Sequence, residues 1–184
     1  MSLPASLDGH EHVRLFLGLP LPAGAVDRIV PWQQQELHDV RVVVSAHLHV
    51  TLAFLGSTPV DRFAEIAGAL REAAQGRERP VLTVSRYRET RSVAMLVLDD
   101  LEARATALAE DLHARLEALG VYERERRAWL PHLTVARFRR PPRLKPALPD
   151  LGDVSPSEAA VYLSRLRPGG AQYEILETVA LGGR

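Results

Sequence analysis

The stretches "HLHVTLAFLG" (47–56) and "PHLTVARF" (131–138) each contain a histidine, an apolar residue, a threonine and a second apolar residue. On a β-strand, residues two apart point to the same face, so each stretch would present an imidazole beside a hydroxyl. The four polar residues are His49, Thr51, His132 and Thr134. The intervening residues, which we expect in a core behind them, are Val50, Leu52, Leu133 and Val135.

The two motifs end the same order of predicted elements. An apolar strand, "VRLFLGLP" (13–20), and a helix over 22–37 precede the first motif, although Pro31 should interrupt that helix. A strand over 93–99 and a helix over 101–120 precede the second. The repeated order predicts a duplicated unit with a pseudo-two-fold axis, which would bring both motifs to one cleft.

The rest of the chain fits one domain. We expect residues 1–12 to be a flexible tail and residues 13–184 to form a single bilobal domain. A proline-rich stretch at 139–156 predicts a loop. The further predicted elements are a helix over 60–76 and strands over 40–44, 81–87, 158–166 and 173–181.

Composition excludes several kinds of site. The 184 residues carry no net formal charge, so any nucleic-acid contact must be a local patch. The absence of cysteine excludes disulfides, thiolate zinc sites and cysteine nucleophiles. We found no pattern of a signal peptide and no apolar stretch long enough to span a membrane, and therefore expect a cytoplasmic protein without membrane contact.

Two imidazoles in one cleft predict acid–base chemistry. Their ordinary pKa of about 6.5 lets one ring be neutral while the other is protonated. The adjacent hydroxyls could hydrogen-bond an anionic group with several oxygens, such as phosphate. This set suits displacement at phosphorus without a metal or covalent intermediate when the leaving oxygen belongs to a strained cyclic phosphodiester. A single His-x-Thr would indicate only a strand histidine, but two copies in equivalent places favour catalysis.

The other histidines carry weaker predictions. His47 and His49 form an H-x-H that could bind a metal, but further ligands at suitable spacing are missing, so we expect no metal and no cofactor. We expect His47 to be a polar residue at a strand start. The histidines predicted in the tail or at the surface are His10, His12, His38 and His113.

The paired motifs resemble the two-histidine phosphoesterase superfamily. Together with "RLFLGLP", "HLHVTLAFLG", "PHLTVARF" and "VYLSRL…YEIL", the chain is similar to the RNA 2′,3′-cyclic phosphodiesterase family, also called 2′-5′ RNA ligases. The likeness runs from about Val13 to Leu181. It implies a two-lobed α+β fold in which antiparallel sheets line a central cleft and helices lie outside.

The resemblance also implies a reaction and site residues. An RNA end with a 2′,3′-cyclic phosphate would be opened to a 2′-phosphate without a metal or nucleotide cofactor. Independently of the resemblance, we expect a monomer. His132 would activate water and His49 would protonate the departing 3′ oxygen, although the near-symmetric site leaves these roles exchangeable. The motif residues Thr51 and Thr134 would bind the phosphate.

Three more residues are candidates for substrate contact. Arg137 matches a family position associated with phosphate, but strict alternation puts it on the opposite face, so a bulge or strand end must redirect it. Phe16 could stack on a base, or it could be a core residue. Tyr162 could line the second lobe or pack in the core. The basic run "RFRRPPRLK" (137–145) is a candidate RNA contact or a solvated loop.

Two alternatives remain open at this point. The same site could act on a cyclic nucleotide, an ADP-ribose cyclic phosphate or a 2′-5′-linked oligonucleotide, and reverse ligation uses the same pair of histidines. The other alternative is a non-catalytic module that only binds RNA ends. It predicts binding without turnover.

Overall fold

The computed structural model describes residues 3–168 and 170–182. The helices are α1 (Ala23–Glu36), α2 (Phe63–Ala74) and α3 (Arg104–Ala118). The strands are β1 (His12–Pro20), β2 (Arg41–Val42), β3 (His49–Pro59), β4 (Leu82–Glu89), β5 (Val93–Asp100), β6 (His132–Arg137), β7 (Glu158–Arg167) and β8 (Gly170–Ala180). Short 3-10 turns lie at Ala5–Leu7, Ser45–His47 and Val60–Arg62.

The strands form one antiparallel sheet in the order β4-β5-β6-β3-β1-β7-β8, and β2 pairs with the outer part of β6. The neighbours β3 and β6 are joined at a single residue pair, Val50 with Leu133. The strands within each half of the sheet therefore pair over many residues, whereas the two halves pair with each other through β3 and β6 at this one position. This arrangement, with α2 and α3 packed against each other and against the sheet, confirms the predicted α+β class and its two lobes.

The predicted repeat is present, and each half of the sheet also includes a strand that lies outside its own repeat unit in the chain. Both halves have the order strand, helix, motif strand: β1, α1 and β3 in one, and β5, α3 and β6 in the other. The strand that follows the first half along the chain, β4, pairs with β5 in the second half. The later strand β7 pairs with β1 in the first half. These two strand pairings connect the lobes in addition to the single β3–β6 residue pair.

The helices form where the sequence presents one apolar face. In α2, Phe63, Ile66 and Leu70 are almost fully buried, at the spacing of three to four residues that places side chains on one side of a helix. In α3, Leu108 and Leu112 do the same. Gly76, which follows α2, has a φ of +68°, a conformation that glycine adopts without steric cost.

The first helix differs from the prediction, because α1 runs through Pro31 without interruption. Proline removes one intrahelical hydrogen bond, and this loss is offset by the packing of the turn that follows. Trp32 is 8% exposed and its Nε1 donates to the Ala147 carbonyl at 2.7 Å, while the side chain of Gln33 is 3% exposed. The strand predicted over 40–44 is also shorter, since only Arg41–Val42 is regular.

The N-terminal segment contacts the rest of the domain. Leu7 is 1% exposed, and the Val60 N–H donates to the Glu11 carbonyl. The flexibility expected of residues 1–12 stays a prediction. No helix in the described part of the chain is both long and apolar enough to cross a membrane.

Candidate active site

The two motifs lie side by side on adjacent antiparallel strands. Because Val50 on β3 pairs with Leu133 on β6, the antiparallel register puts His49 across from Thr134 and Thr51 across from His132. Val50 and Leu133 are almost completely buried, as the alternation predicted. Each histidine therefore has the threonine of the other motif as its neighbour across the strands.

Both histidines are held by the same backbone contact. His49 Nδ1 lies 2.7 Å from the His47 carbonyl oxygen, and His132 Nδ1 lies 2.8 Å from the Leu130 carbonyl oxygen. A carbonyl only accepts, so Nδ1 carries the proton in each neutral ring and Nε2 is the nitrogen that can take up a proton. Both imidazoles thus share one tautomer and one orientation relative to their strands.

Each motif ends in a β-bulge at its fourth residue. In the β1–β3 pair, Leu17 is opposite Ala53 and Gly18 is opposite Thr51, so Leu52 is the extra residue. The β5–β6 pair has the same irregularity, which leaves Val135 as the extra residue of β6. The equivalent bulges show that the symmetry of the motifs extends to their backbone.

The carbonyl of each bulge residue accepts a hydrogen bond from the helix of the other half. Gln33 on α1 donates its amide to the Val135 carbonyl at 2.8 Å, and His113 Nε2 on α3 lies 2.8 Å from the Leu52 carbonyl. Both polar side chains are buried, with 3% and 4% exposure. The surface position predicted for His113 is therefore wrong, because it lies on the apolar face of α3. The equivalent contact in the other half is the hydrogen bond of Gln33. The sequence indicated it only by placing this polar residue among the apolar positions of α1.

Two further residues support the first motif. Trp129, in the loop before β6, donates Nε1–H to the Thr51 carbonyl at 3.1 Å. Gly18 on β1 lies directly behind His49: a Cβ at this position would be 2.9 Å from the Val50 carbonyl oxygen and 3.4 Å from His49 Cδ2. The absence of a side chain at Gly18 lets the motif strand and the imidazole approach β1 closely.

Two cavities meet at the motifs. The first, which we call the Trp129 cavity, has a volume of about 380 Å³ and is lined by His132, Thr51 and Trp129 among others. The second, the Arg41 cavity, has a volume of about 500 Å³, and its lining includes His49, Thr134 and again Thr51. Each cavity thus contains a histidine of one motif and a threonine of the other, as the register of β3 and β6 requires.

The aromatic ring of Phe54 lies where the two cavities meet. Phe54 lines both cavities and is 53% exposed, and the guanidinium of Arg14 lies 5.4 Å from its ring centroid. Phe54 occupies the same place after the first motif as Arg137 after the second. Sequence alternation alone did not indicate it, because the bulge at Leu52 changes the face on which the following residues lie.

Burial sets the charge of His49. Desolvation lowers the pKa of His49 to about 4, and the positive charges of Arg137, His132 and His47 act in the same direction. The hydrogen bond to the His47 carbonyl opposes this shift. His49 is therefore neutral near pH 7.

Arg137 lies at the cleft because of a β-bulge, one of the two features expected from the sequence. The bulge at Val135 redirects β6, and Arg137 lines the Arg41 cavity together with Thr134. Its Nη2 lies 3.5 Å from the Tyr173 hydroxyl. Its role in binding phosphate stays a prediction.

Phe16 and Tyr162 support the site from behind. Phe16 is 2% exposed, its ring stacks on Tyr162 at 4.5 Å, and it lies 4.7 Å from the His49 ring. Phe16 also lines the Arg41 cavity, although little of its ring is open to solvent. Tyr162 is 4% exposed. Both rings pack against the imidazole of His49, and their contact with substrate stays a prediction.

His47 lies in a 3-10 turn before β3 rather than on the strand face. Its carbonyl holds His49, and its Nε2 accepts the Tyr173 N–H at 3.4 Å. Burial lowers the pKa of His47. Within residues 3–168 and 170–182, no three His, Asp or Glu side chains come together as a metal site would require.

The basic run 137–145 continues from β6 into an irregular loop. The backbone N–H groups of Arg143 and Leu144 donate to the Glu89 carboxylate, which fixes this part of the loop to the end of β4. The charged side chains are exposed at Arg137, Arg139, Arg140, Arg143 and Lys145. Their contact with RNA stays a prediction.

Comparison with known proteins agrees with this geometry. Over 174 residues the chain is 22% identical to the RNA 2′,3′-cyclic phosphodiesterase of Methanocaldococcus jannaschii, in a match that covers 90% of this chain and 99% of the relative. The crystal structure of TT0787 of Thermus thermophilus matches with a TM-score of 0.79 and 26% identity, over 92% of this chain and 98% of that one. Escherichia coli LigT in its apo form matches with a TM-score of 0.76 and 24% identity, over 95% and 100% of the two chains.

A family model confirms the resemblance found in the sequence. The model of the 2′-5′ RNA ligase superfamily matches residues 20–166, a segment that contains both histidine motifs and most of the sheet. The chain therefore belongs to the 2′-5′ RNA ligase superfamily of two-histidine phosphoesterases.

Proposed function

We propose that this protein is a metal-independent RNA 2′,3′-cyclic phosphodiesterase that leaves a 2′-phosphate. The observation that carries the proposal is the equivalence of His49 and His132. Each follows a carbonyl that binds its Nδ1, and each lies across from the threonine of the other motif. Two imidazoles in equivalent positions suit a reaction that needs proton removal on one side of phosphorus and proton donation on the other.

The proposed reaction is a displacement at the cyclic phosphate. A neutral histidine takes a proton from water, whose oxygen forms a bond to phosphorus. The bond from phosphorus to the 3′ oxygen breaks, and the opposed imidazolium gives that oxygen its proton. Thr51 and Thr134 donate hydrogen bonds to the phosphate oxygens, which carry the developing charge.

The roles of the two histidines are open to direct test. The resemblance implies that His132 is the base and His49 the acid. The pKa of about 4 at His49 favours the opposite assignment, because a ring with that pKa is neutral at pH 7 and ready to accept a proton. We therefore propose His49 as the base in the first step and His132 as the acid.

Relatives support a nucleotide substrate. The archaeal relative is named an RNA 2′,3′-cyclic phosphodiesterase, and Escherichia coli LigT has been crystallised with 3′-AMP and with phosphate. In this chain, the exposed ring of Phe54 at the meeting point of the cavities takes the place of Phe16 as the proposed stacking surface for a base.

The test is hydrolysis of an RNA oligomer that ends in a 2′,3′-cyclic phosphate, with EDTA present. We expect the wild type to release only the 2′-phosphate and His49→Asn and His132→Asn to be inactive. His38→Asn is the matched control, because His38 is exposed and lies in neither motif. Turnover that survives substitution of either motif histidine would overturn the proposed mechanism.

The same assay separates the alternatives. Turnover of a cyclic mononucleotide, an ADP-ribose cyclic phosphate or a 2′-5′-linked dinucleotide, without turnover of the RNA oligomer, would assign the site to that substrate. Binding of the oligomer without any turnover would indicate an RNA-end-binding module.

A further inference from the structure

Three arginines crowd one side of the cleft. Arg41 on β2, Arg137 on β6 and Arg167 at the end of β7 all line the Arg41 cavity, whose lining also includes His49. All three residues are exposed to solvent. Within residues 3–168 and 170–182, no carboxylate lines this cavity and none of these three arginines forms an ion pair.

Two of the arginines are direct cross-strand neighbours. Arg41 pairs with Arg137 in the β2–β6 ladder, so both side chains leave the sheet on the same face. Like charges directly opposite each other destabilise a strand pair. An anion between the guanidinium groups would relieve this repulsion and accept their hydrogen bonds.

The start of β8, at Gly170, leaves space for the side chain of Arg41. Gly170, with a φ of +114°, lies so close that a Cβ there would be 1.5 Å from an Arg41 guanidinium nitrogen. Any larger residue at position 170 would displace Arg41. The backbone at the start of β8 is thus shaped around a cation that has no acidic partner among the described residues.

The other cavity has a different charge balance. In the Trp129 cavity, Arg127 is paired with Glu125, and Arg124 is paired with Glu117. Glu110 and Glu125 are themselves part of its lining. The excess of positive charge beside the motifs therefore lies on the His49 side of the cleft.

We propose that Arg41 and Arg167 form a second phosphate subsite, which binds a phosphate on the 5′ oxygen of the nucleotide whose cyclic phosphate reacts. This inference rests on the proposed function. The 2′ and 3′ oxygens of such a nucleotide are both in the cyclic phosphate ring, so the 5′ oxygen carries the next phosphate. A volume of about 500 Å³ is in the size range of small-ligand pockets, and His49 and Arg137 line the same cavity as the two subsite arginines.

Binding of product analogues tests the subsite without any need for turnover. We expect adenosine 2′,5′-bisphosphate to bind about tenfold more tightly than 2′-AMP in calorimetry with the wild type. Arg41→Gln and Arg167→Gln, made separately, should each lose most of this preference. Arg88→Gln should keep it, since Arg88 lines only the Trp129 cavity. Equal binding of the two nucleotides by the wild type, or an equal loss in Arg88→Gln, would overturn the subsite.

Turnover then identifies the source of the phosphate. A 5′-phosphorylated mononucleotide cyclic phosphate and a dinucleotide that ends in a cyclic phosphate are compared with the unphosphorylated cyclic nucleotide. An advantage for both supports a subsite that binds the phosphodiester of an RNA chain. An advantage for the mononucleotide alone supports a subsite for a terminal phosphate. Absence of turnover with all three would contradict the proposed function, while the binding comparison would still decide the subsite.

Discussion

Leu52 and Val135 occupy the same place in the two histidine motifs, and both are β-bulge residues whose carbonyls accept hydrogen bonds from a buried side chain of the opposite half. The donor for Leu52 comes from α3 and the donor for Val135 from α1. The motif strands β3 and β6 are thus held by helices of the other half. This makes the motif geometry depend on both halves at once, although β3 and β6 themselves share only one residue pair.

The contact from α3 predicts a specific effect of substitution at His113. We expect His113→Leu to destabilise the fold by about 1–3 kcal/mol, because the buried Leu52 carbonyl loses its donor. His113→Gln should be milder, since it restores an amide donor like that of Gln33. Urea unfolding measures the stability, and kcat with a cyclic phosphate substrate measures the displacement of the motif. Equal losses in the two variants would contradict a role for the hydrogen bond.

The close packing behind His49 predicts sensitivity at Gly18. A Cβ at Gly18 would meet the Val50 carbonyl at 2.9 Å, so Gly18→Ala should push the first motif away from β1 and lower kcat by at least about tenfold. Gly24→Ala is the matched control, because a Cβ there meets no atom within 4 Å. Gly24→Ala should leave kcat unchanged and leave stability equal or higher. A similar kcat for both variants would show that His49 does not depend on this contact.

The lowered pKa of His49 predicts that stability falls with acidification. The ring has a pKa of about 4 in the folded protein against 6.5 in the unfolded chain, so the unfolded chain binds this proton first as the pH drops. The contribution to stability is complete above about pH 6.5 and is lost as the pH falls toward 4. Between pH 7.5 and pH 5 the loss is about 2 kcal/mol.

Urea unfolding at these two pH values checks this. His49→Gln should lose about 2 kcal/mol less than the wild type on acidification, whereas His38→Asn should behave like the wild type. An identical pH dependence in wild type and His49→Gln would show that His49 is not desolvated in the folded protein.

A cyclic substrate in which sulfur replaces the departing 3′ oxygen assigns the roles of the two histidines. A thiolate leaves without a proton, so loss of the acid should cost little with this substrate, while loss of the base should still abolish turnover. If His49 is the base, we expect His132→Asn to regain most of its activity and His49→Asn to stay inactive. Steady-state kinetics of both variants with the oxygen and the sulfur substrate check this. Recovery of His49→Asn alone would restore the assignment that the family resemblance implies.

Much of the fold was predictable because each motif strand alternates strictly and each helix has one apolar face. The sequence could not show the bulges at Leu52 and Val135, since these depend on how β3 and β6 pair with strands distant in the chain. The burial of Phe16 and Tyr162 has the same origin. They are cross-strand partners on the central strands β1 and β7, so alternation cannot separate core from cleft.

The sequence indicated both histidine motifs, because each depends only on local spacing. It did not determine the redirection of Arg137, which depends on the bulge at Val135 and so on the pairing of β6 with β5. The pairing of Arg41 with Arg137, and the contacts of Gln33 and His113, involve residues far apart in the chain, and no local pattern connects them. These contacts arise only when the two halves assemble.

The central claim is that His49 and His132 act as one catalytic unit, and a double-mutant cycle on a 2′,3′-cyclic phosphate substrate tests it most directly. We predict that His49→Asn and His132→Asn each lower kcat/KM by at least about a thousandfold, and that the double variant is no slower than either single one. Losses that multiply in the double variant, or a single variant that retains substantial activity, would contradict the account.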